Sequence, residues 1–383
     1  MTPTRVVVAL AILSTLSGLI HRYLWARLVR DPSWPAPWGV ALTVALLVLA
    51  ALIPATFVGL RVVTRDRGAP LAWIVFTWMG IAFYLLIGSA VVDMVHVLGR
   101  ALGAWPRDAE RRIALARITA GLVSAAVAAV ASFGVAHGLR TVTIKKVRVP
   151  LARLPKSASG YRIVQLTDIH VGPTIGQGLV QSLVSQTNAI EPDMVVITGD
   201  LVDGSVEQLG RLVEPLRELR AKDGVYFVTG NHEYYSGADE WIAHLGELGI
   251  RVLRNERVPI RDVFDLAGVD DTSAYRMLAH HGQDIEGALR GRDPLRTVVL
   301  LAHQPKAVHQ AAALGVDLQL SGHVHGGQMV PFNWLVRLDQ PFVSGLHRVG
   351  GTWVYVSMGA GYWGPPMRVG STAEITCVEL VAA

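Results

Sequence analysis

Polar side chains with metal-binding chemistry follow several short apolar stretches in the second half of the chain. Each stretch is rich in β-branched residues and stops at a glycine or a polar residue, which predicts a buried strand. Sites in open α/β sheets form at the carboxyl ends of strands, so we expect these side chains to converge on one site. The candidate ligands are Asp168, His170, Asp200, Asn231, His303, His323 and His325.

The mixture of carboxylate, amide and imidazole groups decides which cations such a site would take. Imidazole together with oxygen ligands suits Mn, Fe, Zn or Co better than Ca²⁺, and it differs from an all-thiolate zinc site. The two carboxylate oxygens of Asp200 would let it bridge two ions, so we predict two divalent cations. Each motif alone is weak: a lone His303 is more often a core residue, and Asn231-His232 could form a hairpin turn. The prediction depends on their joint occurrence.

Five motifs, in order, resemble the sequence blocks of the calcineurin-like metallophosphoesterases over about residues 160–380. They are Asp168-Ile169-His170, Gly199-Asp200-Leu201-Val202-Asp203, Gly230-Asn231-His232-Glu233, His303 and Gly322-His323-Val324-His325. The resemblance implies that family's fold, an α/β sandwich of two mixed sheets flanked by helices. It also implies two metal positions that share one ligand. Asp168, His170, Asp200 and His325 would hold one ion, and Asp200, Asn231, His303 and His323 would hold the other.

Residues 322–328, together with an apolar N-terminal region, look like a membrane-anchored bacterial branch of that family. Some members of that branch cleave the pyrophosphate of a UDP-diacylglucosamine lipid A precursor. A transmembrane metallophosphoesterase of animals has a similar layout. One departure concerns Gly204, which stands where the family's protein Ser/Thr phosphatases carry an arginine. A phosphoprotein phosphatase role is therefore not expected.

His232 and Asp203 are the candidate catalytic residues. Two divalent ions lower the pKa of bound water toward neutrality and offset the charge of phosphate oxygens. His232 adjoins Asn231 without being assigned as a ligand, so we expect it to protonate the leaving group. Asp203 would orient His232, as the matching position does in the family. The competing interpretation makes Asp203 the N-cap of a helix that begins at Val206.

Two further segments could shape a substrate pocket. Residues 331–336 and 341–343 form an apolar insertion, which either packs in the core or forms a lip against the bilayer or an acyl chain. Residues 359–368 combine glycine, aromatic and basic groups, and they form either a structural turn or the rim of the pocket. At the rim, Asn231, Tyr362 and Arg368 would contact the substrate.

The elements that must position these residues alternate between strand-like and helix-like runs over 141–383. This alternation predicts a layered α/β domain, opened by an edge strand at 141–151. Shorter strands are expected at 258–260 and 264–269. Helices are predicted at 178–190, 206–220, 238–248, 285–289 and 306–314.

The first 140 residues carry most of the excess apolar composition. The whole chain of 383 residues is 51% hydrophobic, with a mean hydropathy of +0.38. Four stretches, at 6–25, 40–60, 71–92 and 113–137, are each about long enough to cross a bilayer. The first resembles a signal peptide, but three more spans follow it and no clear small-residue cleavage site does. We therefore predict an integral protein of a bacterial inner membrane.

The charges of the chain bear on its orientation and partners. Arginine and lysine are nearly balanced between the two sides of the predicted bundle, and we expect the catalytic domain on the cytoplasmic side. The net charge of +5 comes largely from Arg and Lys residues that flank the predicted membrane spans. No nucleic-acid partner is therefore expected. Asp93 and His96 share a helix face near the end of the third span, where polar groups reach the interface. The single cysteine, Cys377, excludes an internal disulfide.

The leading prediction is a membrane-anchored dinuclear-metal phosphohydrolase. Its substrate would be a phosphodiester or a pyrophosphate, of a lipid or a UDP-linked lipid. One alternative is a broad phosphodiesterase or phosphatase that acts on soluble nucleotides. Another is a membrane scaffold or sensor that binds without turnover. A missing ligand would favour the scaffold, and none of the seven ligand positions is substituted.

Overall fold

The structure is a computed structural model that describes residues 3–60 and 63–383, without the side chains of residues 3–6. Residues 1, 2, 61 and 62 of the predicted membrane region lie outside the described residues. The chain divides into two compact units. One comprises the residues up to His137 together with Gly364–Met367. The other comprises Gly138–Trp363 and Arg368–Ala383.

Long apolar helices make up most of the first unit. They are α1 (Pro3–Trp25), α2 (Ala36–Gly59), α3 (Arg65–Ala101) and α4 (Ala109–Gly138), and a π-helical turn (Ala26–Arg30) extends α1. In the described part of the chain these four are long and apolar enough to cross a membrane, which confirms the predicted spans in number. Their bounds are wider than predicted, most of all for α3. Hydropathy marks only the apolar stretch, whereas helical hydrogen bonding continues into the polar ends.

The ionisable residues near the end of α3 have partners within the same unit. Asp93 accepts hydrogen bonds from the Tyr23 hydroxyl at 2.6 Å and from Arg27 Nε at 3.0 Å. Arg27 also donates to Asp31 at 2.6 Å. The ring of His96 lies 4.3 Å from that of Trp105, measured between ring centroids. The bond between Tyr23 and Asp93 joins α1 to α3. Both Asp93 and His96 therefore have packing or hydrogen-bond partners that explain their presence in the helix without a functional role.

The second unit contains the remaining strands and helices. The strands are β1 (Thr143–Leu151), β2 (Tyr161–Leu166), β3 (Met194–Ile197), β4 (Val225–Phe227), β5 (Arg251–Val252), β6 (Glu256–Ile260), β7 (Phe264–Gly268), β8 (Thr297–Leu301), β9 (Leu318–Ser321), β10 (Gly345–Val349), β11 (Thr352–Val356) and β12 (Glu374–Ala382). The helices are α5 (Gln177–Ala189), α6 (Val206–Val213), α7 (Asn231–Ser236), α8 (Ala238–Glu247), α9 (Ile285–Ala288), α10 (Val308–Ala313) and α11 (Phe332–Val336).

Two mixed sheets form the centre of this unit. In the first the strand order is β1-β12-β2-β3-β4-β5, and in the second it is β10-β11-β9-β8-β7-β6. Strands β2 to β5 run parallel to one another, as do β7, β8, β9 and β11. Strand β1 lies at a sheet edge, as its alternating sequence predicts. The predicted α/β sandwich of two sheets flanked by helices is confirmed.

Apolar side chains fill three layers of this unit. Between the sheets, Ile163 and Val196 of the first sheet join Leu266, Val299 and Leu320 of the second in one cluster. Helices α5, α6 and α8 cover the outer face of the first sheet. Helices α9 and α10 cover the second. Because both faces of each sheet are buried, the central strands are apolar throughout rather than alternating.

Two predicted helices differ from the observed ones. The helix expected at 206–220 ends at Val213, and a 3₁₀ turn (Glu214–Glu218) follows it. Pro215 has no N–H and clashes with the preceding turn, which disfavours continuation of the α-helix through it. The helix expected at 306–314 begins as a 3₁₀ turn (Pro305–Ala307) and becomes α-helical only at Val308.

Candidate metal centre

The predicted ligands lie just beyond the carboxyl ends of parallel strands from both sheets. In the first sheet, β2 leads into Asp168 and His170, β3 into Asp200, and β4 into Asn231. In the second sheet, β8 leads into His303 and β9 into the turn that bears His323 and His325. The sandwich therefore brings both sets of strand ends together, and all seven side chains are buried or nearly so.

One group of side chains surrounds His170. Its Nε2 lies 3.0 Å from His325 Nε2 and 3.8 Å from Asp200 Oδ2. His325 Nε2 lies 3.4 Å from Asp168 Oδ1. The ligand atoms of Asp168, His170 and His325 all lie within 4.8 Å of one another, close enough to hold one ion.

A second group surrounds His303. The potential ligand atoms of Asp200, His303 and His323 again lie within 4.8 Å of one another. His303 Nε2 approaches Asp200 Oδ2 to 3.1 Å. Asp200 thus lies in contact range of both groups, as a ligand shared by two ions would.

Unpaired polar atoms indicate that cations fit these groups. Buried polar atoms are nearly always hydrogen-bonded. The exceptions here include Asn231 Oδ1, His303 Nε2, His323 Nδ1 and His325 Nδ1, which have no hydrogen-bond partner among the described residues. His303 Nε2 lies 3.1 Å from Asp200 Oδ2. Lone pairs left unsatisfied in this way suit metal coordination.

Two of the histidines are held in the ring orientation that a ligand needs. His303 Nδ1 lies 2.7 Å from the Thr198 carbonyl, and His170 Nδ1 lies 3.0 Å from Asp203 Oδ1. Both acceptors require a proton on Nδ1, so in the neutral ring the lone pair lies on Nε2, which in His170 faces His325 Nε2. Metal-binding histidines are generally fixed by such outer hydrogen bonds.

The electrostatics of the pocket favour neutral imidazoles at His323 and His325 beside the charged carboxylate of Asp200. His303 differs: burial opposes its protonation, but the charge of Asp200 raises its pKa well above the usual value. Burial, together with the charge of His303, lowers the pKa of His323 to about 4. Burial, with the charge of His170, also lowers the pKa of His325 well below its usual value. Burial alone would raise the pKa of Asp200, but the charges of His303 and His232 hold it well below its ordinary value. Neutral imidazole and ionised carboxylate are the forms that bind cations.

His232 and Asp203 lie next to this cluster. Asp203 Oδ1 accepts from His232 Nδ1 at 2.6 Å and from His170 Nδ1 at 3.0 Å. Burial opposes protonation of His232, but the charges of Asp200 and Asp203 raise its pKa to about 9. The alternative role of Asp203 as a helix N-cap is wrong, because Ser205 occupies the N-cap position of α6. The hairpin-turn alternative at Asn231-His232 is also wrong, because these residues begin α7.

The backbone at the ligands is left-handed. Asp168, His170, Asp200, His323 and His325 have φ values of 53°, 53°, 53°, 73° and 51°. Each non-glycine residue in this region costs on the order of 1–3 kcal/mol. The close approach of the turns also requires glycine: a Cβ on Gly230 would collide with the Asp200 carboxylate, and one on Gly322 with that of Asp168.

Sequence reasoning missed the role of Glu233. Its buried carboxylate accepts from the backbone N–H groups of Gly230 at 2.7 Å, Asp200 at 3.0 Å and Leu201 at 2.8 Å. One side chain therefore ties the turn that bears Asp200 to the turn that bears Asn231. The signal was present, since an acid at the third position of a helix that starts at Asn231 suits a return bond to the N-cap backbone.

The predicted substrate contacts through Arg368 and Tyr362 are corrected by the structure. Arg368 is fully buried, and its guanidinium donates to the carbonyls of Met358, Gly359, Gly361 and His325. The Arg368 guanidinium supplies hydrogen-bond donors to these carbonyls inside the loop of residues 359–368. It therefore does not lie at the rim of the pocket. Tyr362 is also buried, and its hydroxyl donates to the Thr174 carbonyl at 3.3 Å.

Two exposed aromatic side chains lie beside His232 instead. The ring of Tyr235 lies 5.3 Å and that of Trp363 lies 5.9 Å from the His232 ring, between centroids. Both are more than half exposed. Nothing in their local sequence distinguishes them from core aromatics, so only the tertiary structure reveals them.

Comparison with known proteins shows which family this chain resembles. The sequence profile described as "Calcineurin-like phosphoesterase" matches residues 161–327. A "Transmembrane protein with metallophosphoesterase domain" from Danio rerio is 36% identical over 382 residues, covering 94% of this chain and 86% of that protein. Its namesake from Bos taurus is 43% identical over 299 residues, covering 74% of this chain and 66% of that protein. A dimetal phosphatase structure from Danio rerio aligns with 52% of this chain and 87% of its own, at 13% identity and a TM-score of 0.35.

Proposed function

Since this chain belongs to the calcineurin-like metallophosphoesterase family, and is thus a metal-dependent phosphoesterase, we propose that it hydrolyses a phosphodiester or pyrophosphate of a lipid or UDP-linked lipid. One observation carries the lipid assignment. The candidate metal centre and four membrane-length helices belong to one chain, with only residues 139–142 between α4 and β1. Residues 1–140 would act as the anchor and residues 141–383 as the catalytic domain.

The proposed ligands form two overlapping sets. Two divalent ions bound there would acidify a water molecule and offset the charge of the phosphate oxygens. Asp200 belongs to both sets. The sets are Asp168, His170, Asp200 and His325, and Asp200, Asn231, His303 and His323.

The proposed general acid is His232. Its Nδ1 is engaged by Asp203, so the proton available to a leaving oxygen is the one on Nε2. Asp203 would fix the ring and stabilise its charged form. Because the same carboxylate oxygen also holds His170, the acid and one metal ligand would be kept at a constant separation.

Membrane anchoring supports a lipid over a soluble substrate. A site tethered to the bilayer meets lipid substrates at high effective concentration, and it gains nothing comparable for a freely soluble ester. The exposed Tyr235 and Trp363 beside His232 would give a lipid headgroup an aromatic surround. Soluble nucleotide esters remain the competing substrates, and a binding-only scaffold is the competing non-enzymatic role.

The test compares the full chain in vesicles with a fragment that starts near Thr141. The fragment must first be shown to fold and to retain two metal ions. With Mn²⁺, we expect both forms to hydrolyse a water-soluble aryl phosphodiester equally. On a phospholipid or UDP-linked lipid in vesicles, the fragment should lose at least about tenfold, or roughly 1.4 kcal/mol. Equal activity on the vesicle substrate would exclude a tethering advantage, and no turnover of any ester would favour the scaffold.

The proposed location is a bacterial inner membrane with the catalytic domain on the cytoplasmic side. Four spans place both ends of the helical region on the same side, and the loop charges favour that side weakly. Accessibility of a cysteine introduced at Leu295 to a membrane-impermeant thiol reagent, in intact cells and after lysis, tests the orientation. Labelling only after lysis is expected, and labelling of intact cells would reverse the assignment.

A further inference from the structure

We propose that residues 332–338, the lip segment, insert into the headgroup region of a lipid bilayer beside the metal centre. Helix α11 forms most of this segment, and none of its residues is buried. Trp334 is 68% exposed and Leu338 is 83% exposed, and Phe332 and Leu335 are exposed between them. Even without Phe332, the large apolar side chains of Trp334, Leu335 and Leu338 are exposed within five residues and form a patch of the kind that marks an interaction site.

The two halves of the predicted apolar insertion behave differently. Phe342 packs, together with Val336, against the buried cluster of Val308, Val324 and Val354. Its ring also stacks on His347 at 4.1 Å. The core-packing interpretation therefore holds for residues 341–343, and Val336 of the lip segment joins the same cluster. The exposed apolar surface of Trp334, Leu335 and Leu338 has to be accounted for in another way.

A lipid bilayer is the partner that this chemistry fits. Tryptophan is enriched at the membrane–water boundary, and Phe and Leu anchor interfacial segments there. Arg337 lies exposed within the segment and suits anionic headgroups. The neighbouring Asp339 is paired with Lys306 at 3.1 Å, which limits repulsion from such headgroups.

The chain itself tethers the catalytic unit to a bilayer. Helix α4, which is long and apolar enough to span a membrane, ends at Gly138. Strand β1 begins at Thr143, so the link between them reaches at most about 18 Å even when fully extended. The catalytic unit would therefore be tethered to the membrane that α4 spans, and insertion of a short segment would need no separate recruitment.

The lip segment is joined directly to the metal centre. Gly327, two residues after His325, lies so close to Asn333 that a Cβ on the glycine would collide with the Asn333 backbone. Gln328 exchanges hydrogen bonds with the Trp363 backbone at 2.9 and 3.0 Å. Lipid contact at the lip segment would therefore take place on a surface that is continuous with the ligand-bearing turn.

Site-specific fluorescence in the full chain tests this contact. Cys377 is the only cysteine and is buried, so its replacement by alanine gives a background for single-cysteine variants. Trp334→Cys and Leu338→Cys would each carry a polarity-sensitive probe. Leu295→Cys is the matched control, because Leu295 is 80% exposed and precedes β8. It therefore lies at the amino-terminal end of that strand, whereas the ligands follow the carboxyl ends. The proteins are placed in phosphatidylcholine–phosphatidylglycerol vesicles with and without brominated acyl chains.

We expect brominated lipid to quench the probes at 334 and 338 and to leave the probe at 295 unchanged. Absence of quenching at both lip positions would overturn the proposal. A blue-shifted probe that brominated lipid does not quench would show burial against protein, and would overturn it in favour of contact between copies of this chain. The readout is independent of turnover, so this failure is distinguishable from failure of the proposed hydrolysis. Activity on an aryl phosphodiester checks that each labelled protein is folded.

Discussion

Replacing Arg368 by methionine should destabilise the catalytic unit through unsatisfied carbonyls. The guanidinium donates to four backbone carbonyls. Those of Gly359 and His325 have second donors, the N–H groups of Glu374 and Gln328, each at 3.0 Å. In the described part of the chain, the carbonyls of Met358 and Gly361 have Arg368 as their donor. Methionine retains most of the side-chain volume, so the loss of hydrogen bonds dominates.

The expected size follows from those two carbonyls. A buried acceptor left without a donor costs about 1–3 kcal/mol, so the two together cost about 2–6 kcal/mol. Part of this is offset, because burial already disfavours the charge and lowers the pKa of Arg368 to about 10. We therefore expect the lower half of that range. For a unit of this size, 1 kcal/mol corresponds to about 2–4 °C in the unfolding midpoint.

The assay is thermal unfolding of the full chain in detergent, followed by near-ultraviolet circular dichroism. Arg153→Met is the matched control, because Arg153 also makes several bonds, to Asp317 and to the carbonyls of Pro294 and Gly315. Arg153 is partly exposed, so water replaces part of its hydrogen bonding and its loss should cost less than that of Arg368. Arg368→Lys should fall between wild type and methionine. A midpoint for Arg368→Met equal to that of Arg153→Met would refute the reasoning.

Three further substitutions and one treatment probe the metal centre. Asp200→Asn removes the shared charge, so hydrolysis should vanish and bound metal, measured by elemental analysis, should fall. His232→Ala should keep its metal but lose about 10²–10⁴-fold in turnover of esters with poor leaving groups, and less with acidic ones. Gly230→Ala places a Cβ against the Asp200 carboxylate, so metal content should fall while circular dichroism stays native. Chelation should abolish turnover reversibly, with Mn²⁺ restoring it.

Each of these predictions has a contradicting outcome. Full turnover with two ions retained in Asp200→Asn would exclude Asp200 as a ligand shared by two ions. Equal losses for good and poor leaving groups in His232→Ala would exclude the acid role, and lost metal would make His232 a ligand. Gly246→Ala controls for Gly230→Ala, since a Cβ on Gly246 in α8 would meet nothing within 4 Å and should preserve metal content. Turnover that survives chelation would contradict the metal requirement.

The sequence predicted the parts of this molecule that depend on local pattern. Short apolar runs ending at Asp200 or His303 could be recognised because strand-end chemistry lies next to the strand in the sequence. The position of Arg368 could not be predicted, because four carbonyls from two separate turns determine it. The second partner of Asp203, His170, was missed for the same reason. The end of α6 was missed because the hydrophobic pattern continues past Pro215, whereas the α-helical hydrogen bonding of the backbone ends before it.

The left-handed backbone at five proposed ligand positions restricts how this chain can change over evolutionary time. β-Branched and bulky residues are rarely accommodated at such φ values, whereas Asn, Asp and Gly are. At Asp168 or Asp200, a change to asparagine or glycine therefore adds the least backbone strain. It keeps the turn and weakens the binding of the cation. A descendant of this chain could lose catalysis in one such step and still fold. Relatives that carry asparagine or glycine at these two positions should be stable proteins with a membrane anchor and altered metal content.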